Sequence, residues 1–457
     1  MRIAAQKAHV LWWSDLKRWM IPNTAAETRK LPEGWEYVRL KDLLKQVVER
    51  VAVDEGGEYK MLGVKWYGEG TFHRETVKGS SLSAAYVTPV VPDAFIYNRL
   101  FAWKQSFAVV PAEHGDCFVS NEFPQFAVDE QRLLPRYLYL FFMLPGTTET
   151  VKAYSVGSSA VSRNRFKEEE LLDFEIPLPP LHVQRAIVAR WRRTQEEIRD
   201  LRKRLSDRER QLIFGVQEDV GVAGKLNTGR PKVFALKWSQ IEKWGVEMCW
   251  HQATQVRNYK YEVATVNQIC KIGSGGTPSR RNPAYFGGTV PWVKTTEVRN
   301  EVINKTEETL TPKGLKNSSA KLYPAGSIVI AMYGQGATRG RTAKLGIEAA
   351  TNQACAVLTD FDERILPDYL WHYLTSQYDM LRAMASGNNQ PNLNADMIAN
   401  FPVPLAPLDV QRDIVRRVEE GRAEIARERE AARRRAEEAR AELEALILGV
   451  KKLNVDA

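Results

Sequence analysis

Leu178-Pro179-Pro180-Leu181-His182-Val183-Gln184-Arg185-Ala186-Ile187-Val188 returns, little changed, as Leu405-Ala406-Pro407-Leu408-Asp409-Val410-Gln411-Arg412-Asp413-Ile414-Val415. The offset is 227 residues (405 − 178). Upstream, Leu134-Pro135-Arg136-Tyr137-Leu138 matches Leu366-Pro367-Asp368-Tyr369-Leu370 at an offset of 232, and Ser120-Asn121-Glu122 matches Thr351-Asn352-Gln353 at 231. Val38 to Leu43 resembles Ala264 to Ile269 at an offset of 226. The order is preserved and the offset drifts by only a few residues, so the chain carries a duplication. A period this long describes two copies of a whole domain, each followed by a helix, and not a solenoid.

Each copy has the same layout. A segment rich in Gly, Pro and aromatic residues contains short β-like runs: Ala94–Tyr97, Ser106–Val110 and Cys117–Val119 in the first copy, Gly326–Met332 and Ala354–Leu358 in the second. A short helix is predicted next, over Pro135–Leu144 and Pro367–Ala385. Proline-stiffened struts, Ile176–Leu181 and Val403–Leu408, then lead into long helices opened by Pro180 and Pro407. In the first helix, Ile187, Trp191, Thr194, Ile198, Leu201, Leu205, Arg208 and Leu212 recur at alternating four- and three-residue steps, an a/d seam. Ile414, Val418, Gly421, Ile425, Glu428, Ala432, Arg435 and Ala439 repeat those steps in the second, before the register shifts to Leu443 and Leu446. Neither face is apolar enough to stand alone, so the two helices should cover each other as an antiparallel coiled coil. At ~1.5 Å per residue they would span roughly 48 Å (about 182–213) and roughly 60 Å (about 408–448).

The expected fold class is therefore α+β: two tandem domains, each a small mixed β-sheet or barrel with helices, joined by two long helices with pseudo-twofold symmetry. The expected divisions are an extension over 1–30, a first domain over 31–179, a spacer helix over 180–213 and a linker over 214–256. A second domain over 257–405 and a C-terminal helix over 406–450 complete the chain. The linker holds Trp238, Trp244 and Trp250, at a spacing suited to neither helix nor strand.

With 457 residues, 44% apolar and 26% charged, the composition excludes a disordered or collagenous chain. The longest apolar run, Tyr137 to Pro145, is far short of the ~18 residues a membrane helix needs. Cysteines 117, 249, 270 and 355 form no CxxC pair, and their scatter fits a reducing cytoplasm. Lys plus Arg total 65 against 56 acidic residues, a net +9 that mildly favours a polyanionic partner.

Enzyme motifs are broken. Asn282-Pro283-Ala284-Tyr285 lacks the second proline of the amino-methyltransferase motif and reads better as a turn. In Gly334-Gln335-Gly336-Ala337-Thr338-Arg339-Gly340-Arg341-Thr342 the glycine spacing is one residue short of a P-loop, and arginine replaces the lysine. That loop, with Lys344 beyond it, could instead touch a nucleic-acid backbone or be a solvated hairpin. The six histidines are dispersed, with none at metal-ligand spacing. Pro92-Asp93 and Pro367-Asp368 lack the downstream Glu-x-Lys of a nuclease core.

Two variable domains, each followed by a helix introduced by Pro-Leu-x-x-Gln-Arg-x-Ile-Val, resemble the specificity (S) subunit of type I restriction–modification systems. Leu31-Pro32-Glu33-Gly34-Trp35-Glu36 is similar to that family's domain opening. In the second copy, Gly275-Gly276-Thr277-Pro278-Ser279, Tyr285–Gly288, Val290–Val293, Met332–Gly336 and Ala350–Gln353 resemble a common target-recognition domain. The first copy has Glu58–Gly68 in their place and looks like another recognition-domain type.

The resemblance implies a non-catalytic cytoplasmic subunit that reads double-stranded DNA. Two methyltransferase subunits and endonuclease/translocase subunits would dock on it, with S-adenosylmethionine, ATP and Mg²⁺ belonging to those partners. The helices would hold the two readers about 50 Å apart, each meeting one half of an asymmetric bipartite site. Candidate DNA-contacting residues mix cations, amides and aromatics. They are Lys60, Lys65, Tyr67, Arg74, Arg99 and Lys104 in the first copy. In the second they are Thr277, Ser279, Arg280, Arg281, Lys294, Tyr333, Gln335, Arg339, Arg341, Asn388, Asn389 and Gln390. Gln184-Arg185 and Gln411-Arg412, at the helix starts, are either subunit-docking points or plain surface polarity. Two alternatives stay open at this point: a coiled-coil scaffold without a DNA role, and a self-contained DNA methyltransferase or nuclease.

Overall fold

A computed structural model of the chain describes residues 30–155, 165–224, 255–257, 259–334, 336–385 and 392–453. Trp238, Trp244 and Trp250, Gln335, Asn388, Asn389 and Gln390 lie outside the described residues. The chain divides into two compact units: one formed by the residues up to 201 together with those from 431, the other by residues 202–430. Each unit thus takes one domain and a stretch of both long helices.

In the first unit, strand Glu36–Arg39 pairs antiparallel with Glu175–Leu178 and forms a neck that brings the domain's ends together. Beyond it lies a four-stranded sheet in the order Leu44–Gln46, Gln125–Val128, Phe95–Tyr97, Phe107–Val109. A five-stranded sheet follows the order Val51–Ala52, Tyr86–Pro89, Phe118–Val119, Glu58–Val64, Thr71–Lys78. Helices Pro135–Phe142 and Pro145–Tyr154 complete the domain. Phe95, Phe107, Phe142, Phe166 and Phe174 fill the core with rings 4.7 to 6.4 Å apart, at offset and edge-on angles that suit their quadrupoles. Leu443, Leu446 and Ile447, from the far end of the second long helix, are buried in this same core.

The second unit repeats the neck with Val263–Thr265 against Pro402–Pro404. Its five-stranded sheet runs Lys271–Ser274, Cys355–Thr359, Ile328–Ala331, Thr342–Leu345, Val302–Ile303. Its four-stranded sheet runs Glu308–Leu310, Phe286–Val293, Ala349–Thr351, Leu322–Tyr323. The helix expected over Pro367–Ala385 is two helices, Pro367–Ser376 and Tyr378–Met384, broken at Gln377.

The first long helix runs Leu181–Asp219, six residues past its expected end at 213 (219 − 213). Gly215 falls inside the segment expected as linker, 214–256. A glycine inside a helix costs only ~1 kcal/mol, and burial of Val216 and Val220 in the second unit's core outweighs it. The second long helix is Leu408–Ile447. The two run antiparallel within each unit. In the first, Arg190 bonds Glu442 at 3.0 Å and Glu197 bonds Arg435 at 2.6 Å. In the second, Glu209 bonds Arg429 at 2.6 Å, and the seam positions Arg208 and Glu428 pair at 2.7 Å. Ile187, Ile198, Leu205, Ile414, Val418 and Ile425 are buried, whereas Trp191 and Leu201 are half-buried. Leu212 packs so closely on Gly421 that an added Cβ there would lie 2.8 Å from its Cδ2. No helix among the described residues is long and apolar enough to cross a membrane.

Candidate nucleic-acid interface

Gln184 and Gln411 correct the docking expectation. Both side chains are 0% exposed. Gln184 accepts a hydrogen bond from the Leu134 amide at 2.8 Å and donates to the carbonyls of Arg132 at 2.7 Å and Pro179 at 2.8 Å. Gln411 accepts from the Leu366 amide at 2.8 Å and donates to Arg364 at 2.8 Å and Ala406 at 2.7 Å. Each glutamine pins the strut, the first turn of the long helix and the loop before the short helix to one point, and presents nothing to a partner. A second link recurs beside it: the hydroxyl of Tyr137 donates to the Pro177 carbonyl at 2.9 Å, and that of Tyr369 to Pro404 at 2.8 Å.

The arginines that follow are exposed. Arg185 lines a hollow of about 440 Å³ with Arg136, Arg192 and Arg193. Arg412 lines one of about 380 Å³ with Asp368, Glu419 and Glu420. The duplication offset places the two hollows at equivalent positions, yet Arg192 and Arg193 stand where Glu419 and Glu420 stand in the other copy (192 + 227 = 419).

In the first unit Lys65, Tyr67 and Lys104 come together. Lys65 to Gly70 form the hairpin tip between strands Glu58–Val64 and Thr71–Lys78, against the Phe101–Gln105 turn. Lys104 Nζ lies 3.7 Å from the ring centre of Trp66. Lys60 and Arg74 sit on the same two strands, paired with Asp116 and Glu75, and Asp116 holds the Lys60 ammonium above its ordinary pKa. Arg99 is drawn instead into an ion pair with Glu168.

The second unit gathers Arg280 and Lys294 around one carboxylate. Arg280 bonds Glu308 through both terminal nitrogens, at 2.5 and 3.2 Å, and lies 4.5 Å over Phe286 and 5.1 Å from Trp292. Lys294 reaches Glu307 at 2.8 Å and Glu308 at 3.1 Å. Arg280 first, then Lys294, holds the Glu308 carboxyl below the usual carboxylate range against its partial desolvation. The tandem glycines of the recognition motif earn their place here. A Cβ on Gly275 would lie 2.2 Å from the Thr351 carbonyl, and one on Gly276 2.3 Å from the Ala320 amide. That close approach sets the Thr277 hydroxyl against Gln353.

Ser279 and Arg281 are exposed on the same loop. Asn282 caps the turn Pro283–Tyr285, as the broken methyltransferase motif suggested. The glycine-rich loop is tied down by Arg382, which donates to the Gly336 carbonyl at 2.6 Å, and by Tyr378, which donates to that of Ala337 at 2.7 Å. Tyr333 is exposed on this loop, and Arg339 and Arg341 are half-buried. Lys344 lies in the following strand, paired with Asp368. Sequence reasoning missed Trp66, Glu307, Glu308 and Gln353. The signal for Trp66 was an aromatic pair directly before Gly68-Glu69-Gly70, and that for Gln353 its place at the end of the Ala350–Gln353 motif; Glu307 and Glu308 were visible only as partners of residues already named.

The family model for the type I restriction modification DNA specificity domain matches residues 32–205 and again 258–431, and the chain belongs to that family. The specificity subunit of type I restriction enzyme EcoR124I/EcoR124II of Escherichia coli is 26% identical over 168 residues, 36% of this chain and 41% of the relative. The MjaIX specificity subunit of Methanocaldococcus jannaschii is 23% identical over 159 residues, 34% of this chain and 36% of the relative. The aligned stretches thus span less than half of either relative. Among solved structures, a chain from a type I restriction–modification system, described for its complex assembly and conformational transition, superposes with a TM-score of 0.57 at 17% identity. That alignment covers 92% of this chain and 99% of the other, a likeness of fold.

Proposed function

We propose that this chain is the DNA-reading specificity subunit of a type I restriction–modification complex. Each unit reads one half of an asymmetric bipartite site in double-stranded DNA. The chain performs no catalysis: two methyltransferase subunits dock on it, endonuclease/translocase subunits join them, and S-adenosylmethionine, ATP and Mg²⁺ act on those partners. The complex works in the cytoplasm, where the DNA lies. The observation that carries this reading is one frame built twice, with the same glutamine and tyrosine links, bearing polar surfaces that differ between copies. Like frames suit one kind of partner docked twice; unlike surfaces suit two different half-sites. Arg185 and Arg412, exposed at equivalent hollows, are the docking residues in this reading, and Lys65, Lys104, Arg280, Lys294, Tyr333, Arg339 and Arg341 face DNA.

The test replaces the proposed first recognition domain, residues 31–179, by that of another specificity subunit and sequences the methylated motif in cells carrying the complex. One altered half-site supports independent reading. Alteration of both halves contradicts it, and a complex that methylates with no sequence preference favours a scaffold role.

A further inference from the structure

The first unit carries two adjacent aromatic rings turned out to solvent, at the tip of the Lys65–Gly70 hairpin. Trp66 is 42% exposed and Tyr67 66% exposed. Their rings meet edge-on at 90° with centres 6.5 Å apart, and Trp66 leans on Phe101 at 5.1 Å. The backbone beneath them is fastened. The Tyr67 amide donates to the Lys104 carbonyl at 2.8 Å and the Gly68 amide to Gln105 at 3.0 Å. The Tyr139 hydroxyl donates to the Gly68 carbonyl at 2.7 Å.

Tyr67 sits at φ +56°, a left-handed conformation costly for a bulky residue. Gly68 follows at φ +69°, where a Cβ would meet the Met143 sulfur at 2.4 Å. A strained backbone held by hydrogen bonds keeps a large ring facing water, a feature that suits a contact outside the molecule. Lys104 lies over the Trp66 ring and exposed Lys65 precedes it in the chain, two cations suited to phosphates beside a base. Among its described residues, the second unit exposes one large aromatic ring, Tyr333, and no such pair.

We propose that Tyr67, braced by Trp66, is a stacking wedge that enters the DNA at the first unit's half-site and stacks on a partly unstacked base. This rests on the DNA-reading role proposed above. The first half-site is then selected partly by how easily one base step opens, which favours flexible pyrimidine–purine steps. The second half-site is read without such a wedge.

The experiment uses the full chain and short duplexes bearing the motif found by methylome sequencing, with 2-aminopurine at successive adenines. Wild type should raise the fluorescence severalfold at one step of the first half-site and at none of the second. Tyr67→Asn removes the ring but keeps a residue that tolerates positive φ; Trp66→Ala removes the brace. Both should abolish the rise and weaken cognate binding about tenfold, with the salt slope unchanged because the phosphate contacts remain. Tyr86→Ala, an exposed ring elsewhere in the unit, should change neither readout. A fluorescence rise that survives both substitutions overturns the wedge. So does weaker methyltransferase binding by the variants with DNA binding intact, which would assign the rings to a protein partner. Absence of any DNA binding by wild type would overturn the DNA-reading role itself.

Discussion

Residue 140 of the first unit and residue 372 of the second occupy the same turn of the same short helix, three residues after Tyr137 and Tyr369. Leu140 is buried among phenylalanines. His372 is fully buried, stacked on Trp371 at 4.9 Å, with neither ring nitrogen hydrogen-bonded. Burial first, then Arg422 and Lys344, pushes its pKa down to about 3. Around this difference the glutamine and tyrosine links are the same in both units. The frame therefore tolerates exchange of a core residue but not of the groups that close its neck, because the links satisfy backbone atoms that have no water to turn to.

Breaking the links should have the largest effect. Gln184→Leu and Gln411→Leu each remove the partner of one buried carbonyl and of a part-buried amide and carbonyl. Each should cost about 3–5 kcal/mol, confined to its own unit and equal between the two. Hydrogen exchange with urea titration reads this, and costs that differ widely would show the two frames not to be equivalent.

The histidine gives the next effect. An unfolded histidine binds a proton below pH ~6.5, while His372 stays neutral down to about 3. The unfolded state thus holds more protons across that window, and the second unit loses stability as pH falls through it. At pH 5 the loss is about 2 kcal/mol. His372→Leu, which installs the first unit's residue, should flatten that dependence in thermal melts at pH 5 and 7.

Tyr137→Phe and Tyr369→Phe should cost about 1 kcal/mol each, again equally, by the same titration. Smallest is the hollow. Arg192→Glu with Arg193→Glu gives the first copy the second's charges at those two positions, and should shift methyltransferase affinity at that copy by about 1 kcal/mol or less. The shift should fade in high salt; calorimetry at two salt concentrations separates this from a packing defect.

The duplication and the long helices were legible because similar residues recur at nearly constant offset and the seams hold their period, whereas the pairing of strands 36–39 and 175–178 into a neck was not. Nor was the role of Gln184 and Gln411. A polar residue in a first helical turn normally faces water, and nothing along the chain tells that two carbonyls and an amide, up to 52 residues away, converge on it. Arg99 is a DNA-contact candidate by sequence for the same reason: Glu168, its ion-pair partner, lies 69 residues distant. Trp66 lies two residues past a strand whose Leu62 and Val64 are buried, so alternation along that strand points it inward. Only the hairpin's tight turn brings it out.

The necks have a genetic consequence. Glu36–Arg39 lies beside Glu175–Leu178, and Val263–Thr265 beside Pro402–Pro404, so each domain leaves and rejoins the frame at points ~4.8 Å apart. A crossover between two alleles at the codons of one neck would splice in a foreign cassette whose length and internal topology hardly matter, provided its two ends pair as strands. The recurring Pro-Leu-x-x-Gln-Arg segment would supply the homology for that exchange. A lineage could then acquire a new half-specificity in a single recombination event, while point mutation would have to rebuild a reading surface residue by residue.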